Sequence, residues 1–364
     1  MAIMRRAGYG QPNHTLSVPA EPHAATRLKT LDAFRGIAIL AVLLFHYTYR
    51  WGPLAGEGLD LYHFQSNIAW FAKGNYGVQF FFIISGFVIL MTLERCRDWK
   101  EFALRRFMRL YPTYIACMFL TFFIARWLGP PQLQSSYRDL LVGFSMISDM
   151  LHVGWVEGAC WTLMMELVFY IWVGLIYFAF RTKYFALAWV VFCVCARIFA
   201  HRYGLVGQFY LAAPFLCYFS TGMAFYCLYA KRPLHVSIIF FATAAYLYYR
   251  FWYSNPLEDH LLVALMVLAF ALFVSGKLNL LGGGILGYVG LISYPFYLLH
   301  QNIGVSVIGR LNAVEWLNGW LAVGLTTALM LLAAICVHYL VELPPQKFTR
   351  RILKRQRGLA DATA

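Results

Sequence analysis

Stretches of about twenty apolar residues, each able to cross a hydrocarbon core about 30 Å thick, recur along almost this whole 364-residue chain. A helix is their predicted conformation, because unpaired backbone groups are costly in lipid and the stretches lack the alternating pattern of barrel strands. The ten predicted spans are approximately 31–50, 75–94, 110–128, 160–180, 184–200, 207–229, 234–252, 260–276, 287–309 and 318–342.

The composition is typical of a protein with little surface in water. Charged residues make up 13% of the chain and hydrophobic residues 61%, whereas soluble domains have about 25% charged residues. These proportions exclude a soluble globular domain and a disordered chain. The 8 cysteines lie mostly in apolar stretches and form no C-x-x-C pair with zinc spacing, so no metal site is expected. The predicted fold class is an all-α polytopic membrane protein.

The distribution of basic residues predicts the orientation of the chain. The formal net charge is +14, and most lysines and arginines fall in alternate segments that include both termini. Such segments usually face the cytoplasm, so both termini are predicted to be cytoplasmic. No basic face with interleaved aromatic residues is visible, which argues against nucleic acid as a partner. The expected organisation is a polar basic tail over 1–30, a membrane domain over 31–345 and a basic tail over 346–364.

The first predicted span carries Asp32, Arg35 and His46 in its interior. Ionisable side chains in a membrane are costly and usually face a bundle interior or a water-filled cavity. Arg35 and His46 are eleven residues apart, so a helix places them roughly 16 Å apart along its axis and within about 20° of one another. Asp32 lies beside Arg35 on the same face. The alternative is that Arg35 and His46 each extend to the nearest membrane surface.

Other spans also carry polar residues. Glu166 lies roughly 9 Å inside the fourth span, at a depth similar to that of His46. Pairing with an arginine on a neighbouring helix is the simpler alternative to catalysis for this carboxylate. His300 lies near the middle of the ninth span, where a buried hydrogen-bond donor is the commoner role. Ser85 precedes Gly86 in the second span, and this pair is typical of close helix packing.

A basic cluster follows the second span. Arg105, Arg106 and Arg109 fall in a predicted cytoplasmic loop, and Pro112 is predicted to begin the next helix. Guanidinium groups make planar bidentate contacts with phosphate oxygens, so the cluster is a candidate phosphate clamp. The tendency of basic residues to lie on the cytoplasmic side is an equally good explanation.

Six segments occur in one order: LDAFRGIAILAVLLFH, FFFIISGF, RRFMRLYP, WTLMMELVFY, SYPFYLLH and VELP. Together they resemble the membrane acyltransferase-3 family of bacterial glycan and lipid acyltransferases, over about residues 30–345. The resemblance implies ten core helices and a key pair at Arg35 and His46, with the family's arginine motif at Arg106 and Arg109. It also implies transfer of an acyl group, often acetyl, from cytoplasmic acyl-coenzyme A to a hydroxyl of an extracytoplasmic carbohydrate. The chain is expected to be a stand-alone member of the bacterial inner membrane, without a fused esterase-like domain.

The residues and the resemblance lead to one hypothesis for the donor. Acyl-coenzyme A, most simply acetyl-coenzyme A, carries several phosphate charges and is expected to bind on the cytoplasmic side. Arg105, Arg106 and Arg109 supply cations there, and Arg35 lies just inside the membrane. The pantetheine arm is long enough to carry the thioester into the bilayer towards His46.

Histidine has an unperturbed pKa near neutrality, so His46 is the expected base for the acceptor hydroxyl. Glu166 is expected to orient His46 or to contact the acceptor, a carbohydrate or glycolipid. Trp161 and other aromatic residues near the outer loops suit stacking on sugars, although an aromatic belt at the membrane surface is their commoner role. The further candidates for substrate contact are Asp32, Ser85, Trp161 and His300.

A secondary transporter of a polar solute is the alternative hypothesis. His46 and Glu166 would then form a proton relay within the membrane. The basic cluster and the ordered segments would have no role, and the internal repeats of many transporters are not visible. The sequence carries no signal for a particular oligomeric state.

Overall fold

Helices make up the regular structure of this chain. The computed structural model describes residues 22–51, 68–314 and 317–362. Within these ranges there is no strand, and several long apolar helices confirm the predicted all-α polytopic membrane fold. The α-helices are α1 (Pro22–Phe45), α2 (Gly77–Leu93), α3 (Trp99–Leu128), α4 (Tyr137–Gly143), α5 (Trp161–Tyr203), α6 (Leu205–Leu211), α7 (Leu216–Tyr229), α8 (Leu234–Trp252), α9 (Leu257–Val274), α10 (Gly284–Leu291), α11 (Ser293–Leu299), α12 (Asn302–Asn312), α13 (Gly319–Val337) and α14 (Leu343–Ala362).

Seven helical segments in the described ranges are long and apolar enough to cross a membrane. The other predicted spans correspond to the 14-residue α7, to α8, and to the stretch 287–309, which is broken into α10, α11 and α12. The count of ten spans therefore stays a prediction. The seven segments are Lys29–Arg50, Trp70–Leu93, Trp99–Leu128, Gly158–Arg181, Tyr184–Tyr203, Leu257–Val274 and Gly319–Arg357.

Helix α5 consists of two helices that fold back on each other at Arg181. The backbone there has φ 53° and ψ −173°, which is not helical. The rings of Phe169 and Trp189 lie 5.9 Å apart, centroid to centroid. A straight helix would separate two residues at this spacing by about 30 Å, so the two halves form a hairpin. This matches the separate spans predicted at 160–180 and 184–200.

Close packing of α2 against α7 depends on two glycines. The backbone of Phe219 lies against Gly86, and the backbone of Ile83 lies against Gly222, so neither glycine has room for a Cβ atom. This contact agrees with the interpretation of Ser85–Gly86 as a helix-packing element. It also fixes the position of Ser85 relative to the neighbouring helices.

The predicted cytoplasmic segments meet at one end of the molecule. Arg232, after α7, forms a 2.8 Å ion pair with Glu94, after α2. Arg357 of α14 donates hydrogen bonds to the Arg95 carbonyl at 3.1 Å and to the Glu101 carboxylate at 2.7 Å. These contacts place the loop after α2, the loop after α7 and the C-terminal helix on the same side.

The two predicted tails are helical where the structure describes them. The part of the N-terminal tail over 1–21 lies outside the described residues, and the remainder belongs to α1, which begins at Pro22. The basic C-terminal tail over 346–364 is helical as far as Ala362. Its basic residues therefore lie on a helix that contacts the loop after α2.

The shared end of the molecule gives a test of topology. Reporter fusions at Arg97, Arg232 and the C-terminus should all report the cytoplasm, because positive charge is retained on that side of the membrane. The measurement is the ratio of a reporter active outside the membrane to one active inside. An extracytoplasmic signal at one of the three sites would show that the segments do not lie on the same side of the membrane. It would also contradict the predicted orientation.

Candidate active site

A cavity of about 810 Å³, open to solvent, lies between α1, α2, α3, α5 and α11. Its lining includes the guanidinium groups of Arg35, Arg106 and Arg109, and we name it the arginine cavity. Arg106 and Arg109 are three residues apart on α3 and share one face of that helix. The sequence analysis assigned these three residues to the donor, and the structure brings them to one cavity.

Helix α3 begins earlier than the sequence predicted. The Asp98 side chain accepts a 2.9 Å hydrogen bond from the Glu101 amide and caps the helix N-terminus. The helix then runs from Trp99 to Leu128 through Pro112. The prediction that the arginine cluster lies in a loop, and that Pro112 begins the next helix, is therefore wrong.

Arg35 is held by its neighbour on α1. Its Nη1 donates a 2.7 Å hydrogen bond to Asp32 Oδ1, as expected for residues three apart on one helix. Both side chains remain partly exposed, at 24% and 31%. Asp32, which was predicted to contact substrate, therefore acts in this structure as the partner of Arg35.

Arg106 reaches across to α2. Its Nη2 donates a 2.7 Å hydrogen bond to Thr92 Oγ1, and its guanidinium lies over the Tyr170 ring, 5.8 Å from the ring centroid. Its Nε is buried and has no hydrogen-bond partner in the described ranges. The group is thus positioned by α2 and α5 and retains an unused donor.

Arg109 belongs to a buried ionic network. It forms an ion pair with Glu342, whose side chain is 0% exposed. The second oxygen of Glu342 lies 2.5 Å from His338 Nδ1, one turn earlier in the π-helical segment His338–Glu342. Glu342, in the VELP segment, is therefore the carboxylate partner of one cavity arginine.

Arg105 does not line the arginine cavity. It donates two hydrogen bonds to Glu101, at 2.6 and 3.0 Å, and this carboxylate also accepts from Arg357. Glu101 is itself only 7% exposed. The structure therefore separates Arg105, in a structural ion-pair network at the end of the bundle, from Arg106 and Arg109.

Glu166 lies in the wall of the arginine cavity. Its Oε1 accepts a 2.5 Å hydrogen bond from Ser85 and a second hydrogen bond from the Tyr170 hydroxyl. Tyr170 also lies beneath Arg106, so the carboxylate and the guanidinium are bridged by one ring. The expected place of Glu166 was beside His46, whereas the structure brings it together with Ser85, Tyr170 and Arg106.

His46 lies at the end of α1, where the helix widens into the π-helical turn His46–Arg50. Single π-helical turns occur often at functional sites. The His46 and His300 rings are in edge contact, with centroids 5.1 Å apart. The sequence analysis named both histidines separately, and the structure makes them a pair.

His300 is buried, and one of its ring nitrogens is hydrogen-bonded to the backbone. Its Nδ1 lies 2.7 Å from the Tyr297 carbonyl oxygen, which can only accept a hydrogen bond. Nδ1 therefore carries the hydrogen, and in the neutral ring Nε2 has the lone pair. Nε2 is buried without a hydrogen-bond partner in the described part of the chain. Since the side chain is 0% exposed, this nitrogen is a proton acceptor kept away from bulk water.

Glu157 holds the chain next to His300. It accepts a 3.0 Å hydrogen bond from the Asn302 amide at the start of α12, just after the break that contains His300. Burial raises the pKa of the Glu157 carboxyl to about 8. Asn302 also donates from Nδ2 to the Val156 carbonyl at 2.9 Å. These contacts fix the backbone on the C-terminal side of His300.

Trp161 is part of the packing between helices. Its ring lies 5.6 Å from that of Phe215, and the neighbouring Thr162 and Leu163 line the arginine cavity in its place. Trp161 therefore lies outside the lining of the arginine cavity, and its contact with a sugar stays a prediction.

Comparison with known proteins identifies the family of the chain. The acyltransferase-3 family model, described as an acyltransferase domain, matches residues 28–339, most of the chain. The chain belongs to this family. It is 26% identical over 157 residues to the O-acetyl transferase of Shigella phage Sf6, covering 39% of this chain and 44% of that protein.

A second relative is the peptidoglycan O-acetyltransferase OatA of Listeria monocytogenes, 25% identical over 127 residues, which cover 33% of this chain and 17% of the relative. The chain thus spans less than half the length of each of these two relatives. No solved structure matches the chain.

Three residues with contacts in or beside the candidate site were not predicted from the sequence: Tyr170, His338 and Glu157. Tyr170 is four residues after Glu166, and His338 is four residues before Glu342, so helical spacing was a signal for both pairs. Glu157 gave no such signal, because its partner is separated from it by 145 residues.

Proposed function

We propose that this protein is an integral-membrane O-acyltransferase. It moves an acyl group, most simply acetyl, from cytoplasmic acyl-coenzyme A to a hydroxyl of a carbohydrate or glycolipid acceptor. The observation that carries the proposal is the gathering of Arg35, Arg106 and Arg109 around one cavity in a chain of the acyltransferase-3 family. The names of both relatives, O-acetyltransferases of a bacterial virus and of a bacterium, support acetyl as the transferred group.

The charge of the arginine cavity suits the donor. Coenzyme A carries phosphate groups, and guanidinium groups bind phosphate through paired hydrogen bonds. The Nε of Arg106 is buried and has no partner among the described residues, so it has a donor available for such a contact. Thr92, the partner of Arg106, lies two residues before Glu94, in the end of the bundle where the predicted cytoplasmic loops meet. A donor from the cytoplasm would therefore enter the cavity at its predicted cytoplasmic end.

Ring contacts lead from the arginine cavity to the histidine pair. Tyr297 lines the cavity and lies 5.3 Å from the His300 ring, centroid to centroid. His300 in turn contacts His46. A thioester that extends from the cavity along this path would come close to His46.

The proposed reaction is direct transfer with general-base assistance. The acceptor oxygen attacks the thioester carbonyl while His46 removes the hydroxyl proton. The carbon–sulfur bond then breaks, and the proton passes to the coenzyme A thiolate. His300 lies against His46 and keeps its orientation. The Tyr297 carbonyl orients the His300 ring, and Glu157 holds the backbone that follows it.

The test is a paired measurement on one preparation. Purified protein in lipid nanodiscs, given acetyl-coenzyme A and envelope glycans, should release coenzyme A in proportion to the acetyl groups gained by the glycans. Mass spectrometry of glycans from cells with and without the gene should show one acyl mass lost. A secondary transporter would release no coenzyme A, and unchanged glycans together with no release would refute the proposal.

A further inference from the structure

A second cavity of about 1050 Å³, open to solvent, lies beside the π-helical turn that contains His46. Phe45 and Tyr49, on either side of His46 in the chain, belong to its lining. The polar part of the lining comes from Arg50 in that turn, from the segment before α2, from α2 itself, and from the residues just before and at the start of α9. We name this cavity the lysine pocket, after Lys73, and define it further by Gln79, Asn255 and Asp259.

The lysine pocket and the arginine cavity are joined by the histidine pair. The Phe45 ring, in the lysine pocket, lies 5.0 Å from the His46 ring, centroid to centroid. His46 contacts His300 at 5.1 Å, and His300 contacts Tyr297 of the arginine cavity at 5.3 Å. The histidines therefore lie between two cavities of different chemistry.

Lys73 of the lysine pocket is paired with two carboxylates. Its Nζ lies 2.5 Å from Asp259 Oδ1 and 3.2 Å from Glu258 Oε2. Asn255 Nδ2 donates to the Tyr76 hydroxyl at 3.2 Å and to Asp259 at 3.4 Å. Arg50 is the second basic residue of the lining. Because two carboxylates already hold the lysine, it is less available to a phosphate than an unpaired cation would be.

Gln79 supplies an unused polar atom to this pocket. Its Oε1 is buried and accepts no hydrogen bond within the described residues. A buried amide oxygen without a partner is costly, and a ligand hydroxyl that donates to it removes that cost. The atom therefore points to a ligand that carries hydrogen-bond donors.

The lining of the lysine pocket combines such polar groups with aromatic faces. Tyr49, Tyr76 and Trp252 present rings, and Gln79 and Asn255 present amides. A sugar ring has apolar faces of C–H groups and a rim of hydroxyls, which match rings and amides respectively. We propose that the lysine pocket binds the sugar ring of the acceptor and presents one of its hydroxyls to His46. This inference rests on the proposed acyltransferase function and adds the place of the acceptor.

The experiment measures the two substrates separately. Wild type, Gln79→Leu and Asn255→Ala are compared in nanodiscs, with radiolabelled acetyl-coenzyme A as donor and glycans extracted from the producing cells as acceptor. Gln79→Leu nearly keeps the side-chain volume and is compatible with an apolar helix, so folding should be retained. Each variant should raise the glycan concentration needed for half-maximal transfer by about ten-fold, as expected for lost hydrogen bonds to a bound ligand. The affinity for acetyl-coenzyme A should not change.

Gln134→Leu is the matched control, because it removes the same amide from an exposed site in the loop after α3. It should leave both substrate dependences as in wild type. Unchanged glycan dependence in folded Gln79→Leu and Asn255→Ala would overturn the acceptor site, and so would a loss confined to acetyl-coenzyme A affinity. Failure of the proposed function would look different, because wild type itself would then transfer no acetyl group.

Discussion

Replacement of His46 by glutamine is expected to abolish acyl transfer while acyl-coenzyme A still binds. Glutamine retains a polar side chain of moderate size but cannot accept and release the proton of the acceptor hydroxyl. General-base assistance contributes about 10²–10⁴-fold to a rate, so the variant should be nearly inactive. The measurement is single-turnover transfer from radiolabelled acetyl-coenzyme A, with donor affinity determined on the same preparation.

His235→Gln is the matched control, since His235 is exposed at the start of α8 and belongs to the lining of neither cavity. It should turn over like wild type. A covalent acyl group trapped on His46, together with ping-pong kinetics, would replace direct transfer by a two-step route through the same residue. Near-normal turnover of a folded His46→Gln protein would eliminate both routes and leave His300 as the base.

Replacement of the arginines that line the arginine cavity is expected to cause a large loss of affinity for the donor. A hydrogen bond to a charged group contributes about 1.5–3 kcal/mol, so Arg106→Gln should weaken acetyl-coenzyme A binding by about ten-fold or more. Binding of labelled donor to protein in nanodiscs is the measurement. Transfer at saturating donor should fall much less than donor affinity.

Arg109 requires a compensated variant. Removal of Arg109 alone leaves the buried Glu342 carboxylate without its cation, and such a loss typically destabilises a protein by about 3–5 kcal/mol. We therefore expect Arg109→Gln with Glu342→Gln to fold, and its donor affinity to fall as in Arg106→Gln. Glu342→Gln alone separates the effect of the carboxylate from that of the guanidinium.

Arg105→Gln distinguishes a phosphate clamp from a general effect of basic charge. Arg105 lies on the same helix and carries the same charge, yet it pairs with Glu101 outside the cavity. Arg357 remains to compensate Glu101 in this variant. Equal losses of donor affinity in Arg105→Gln and Arg106→Gln would contradict the phosphate clamp. The basic cluster would then serve only to keep this segment on the cytoplasmic side.

Local periodicity explains which parts of the site the sequence predicted. The shared face of Arg106 and Arg109 depends on one helix, so spacing alone places this pair. Long-range partners were beyond such reasoning: Ser85 meets Glu166 across 81 residues. In the same way, helical spans were predictable from apolar runs, whereas the break between α11 and α12 is held by a contact from the distant Glu157.

The boundary of α3 shows a second kind of failure. Basic residues before Pro112 were interpreted as a loop, because proline often begins a helix. The Asp98 cap instead starts the helix at Trp99, and the apolar residues between the arginines complete the turns that lead to Pro112. Both Asp98 and Pro112 are residues at which a helix can begin. Packing decides which of them begins α3, and packing cannot be read from the sequence.

The pairing of Arg109 with Glu342 has a consequence for turnover. In the proposed enzyme an incoming phosphate competes with a carboxylate that is already in place, so donor entry becomes in part an exchange of one anion for another. The same carboxylate recaptures the guanidinium as coenzyme A leaves, and it weakens the binding of the loaded and the spent carrier alike, because both carry the same phosphates. A cavity of uncompensated arginines would bind both more firmly, and each cycle would wait longer for free coenzyme A to depart.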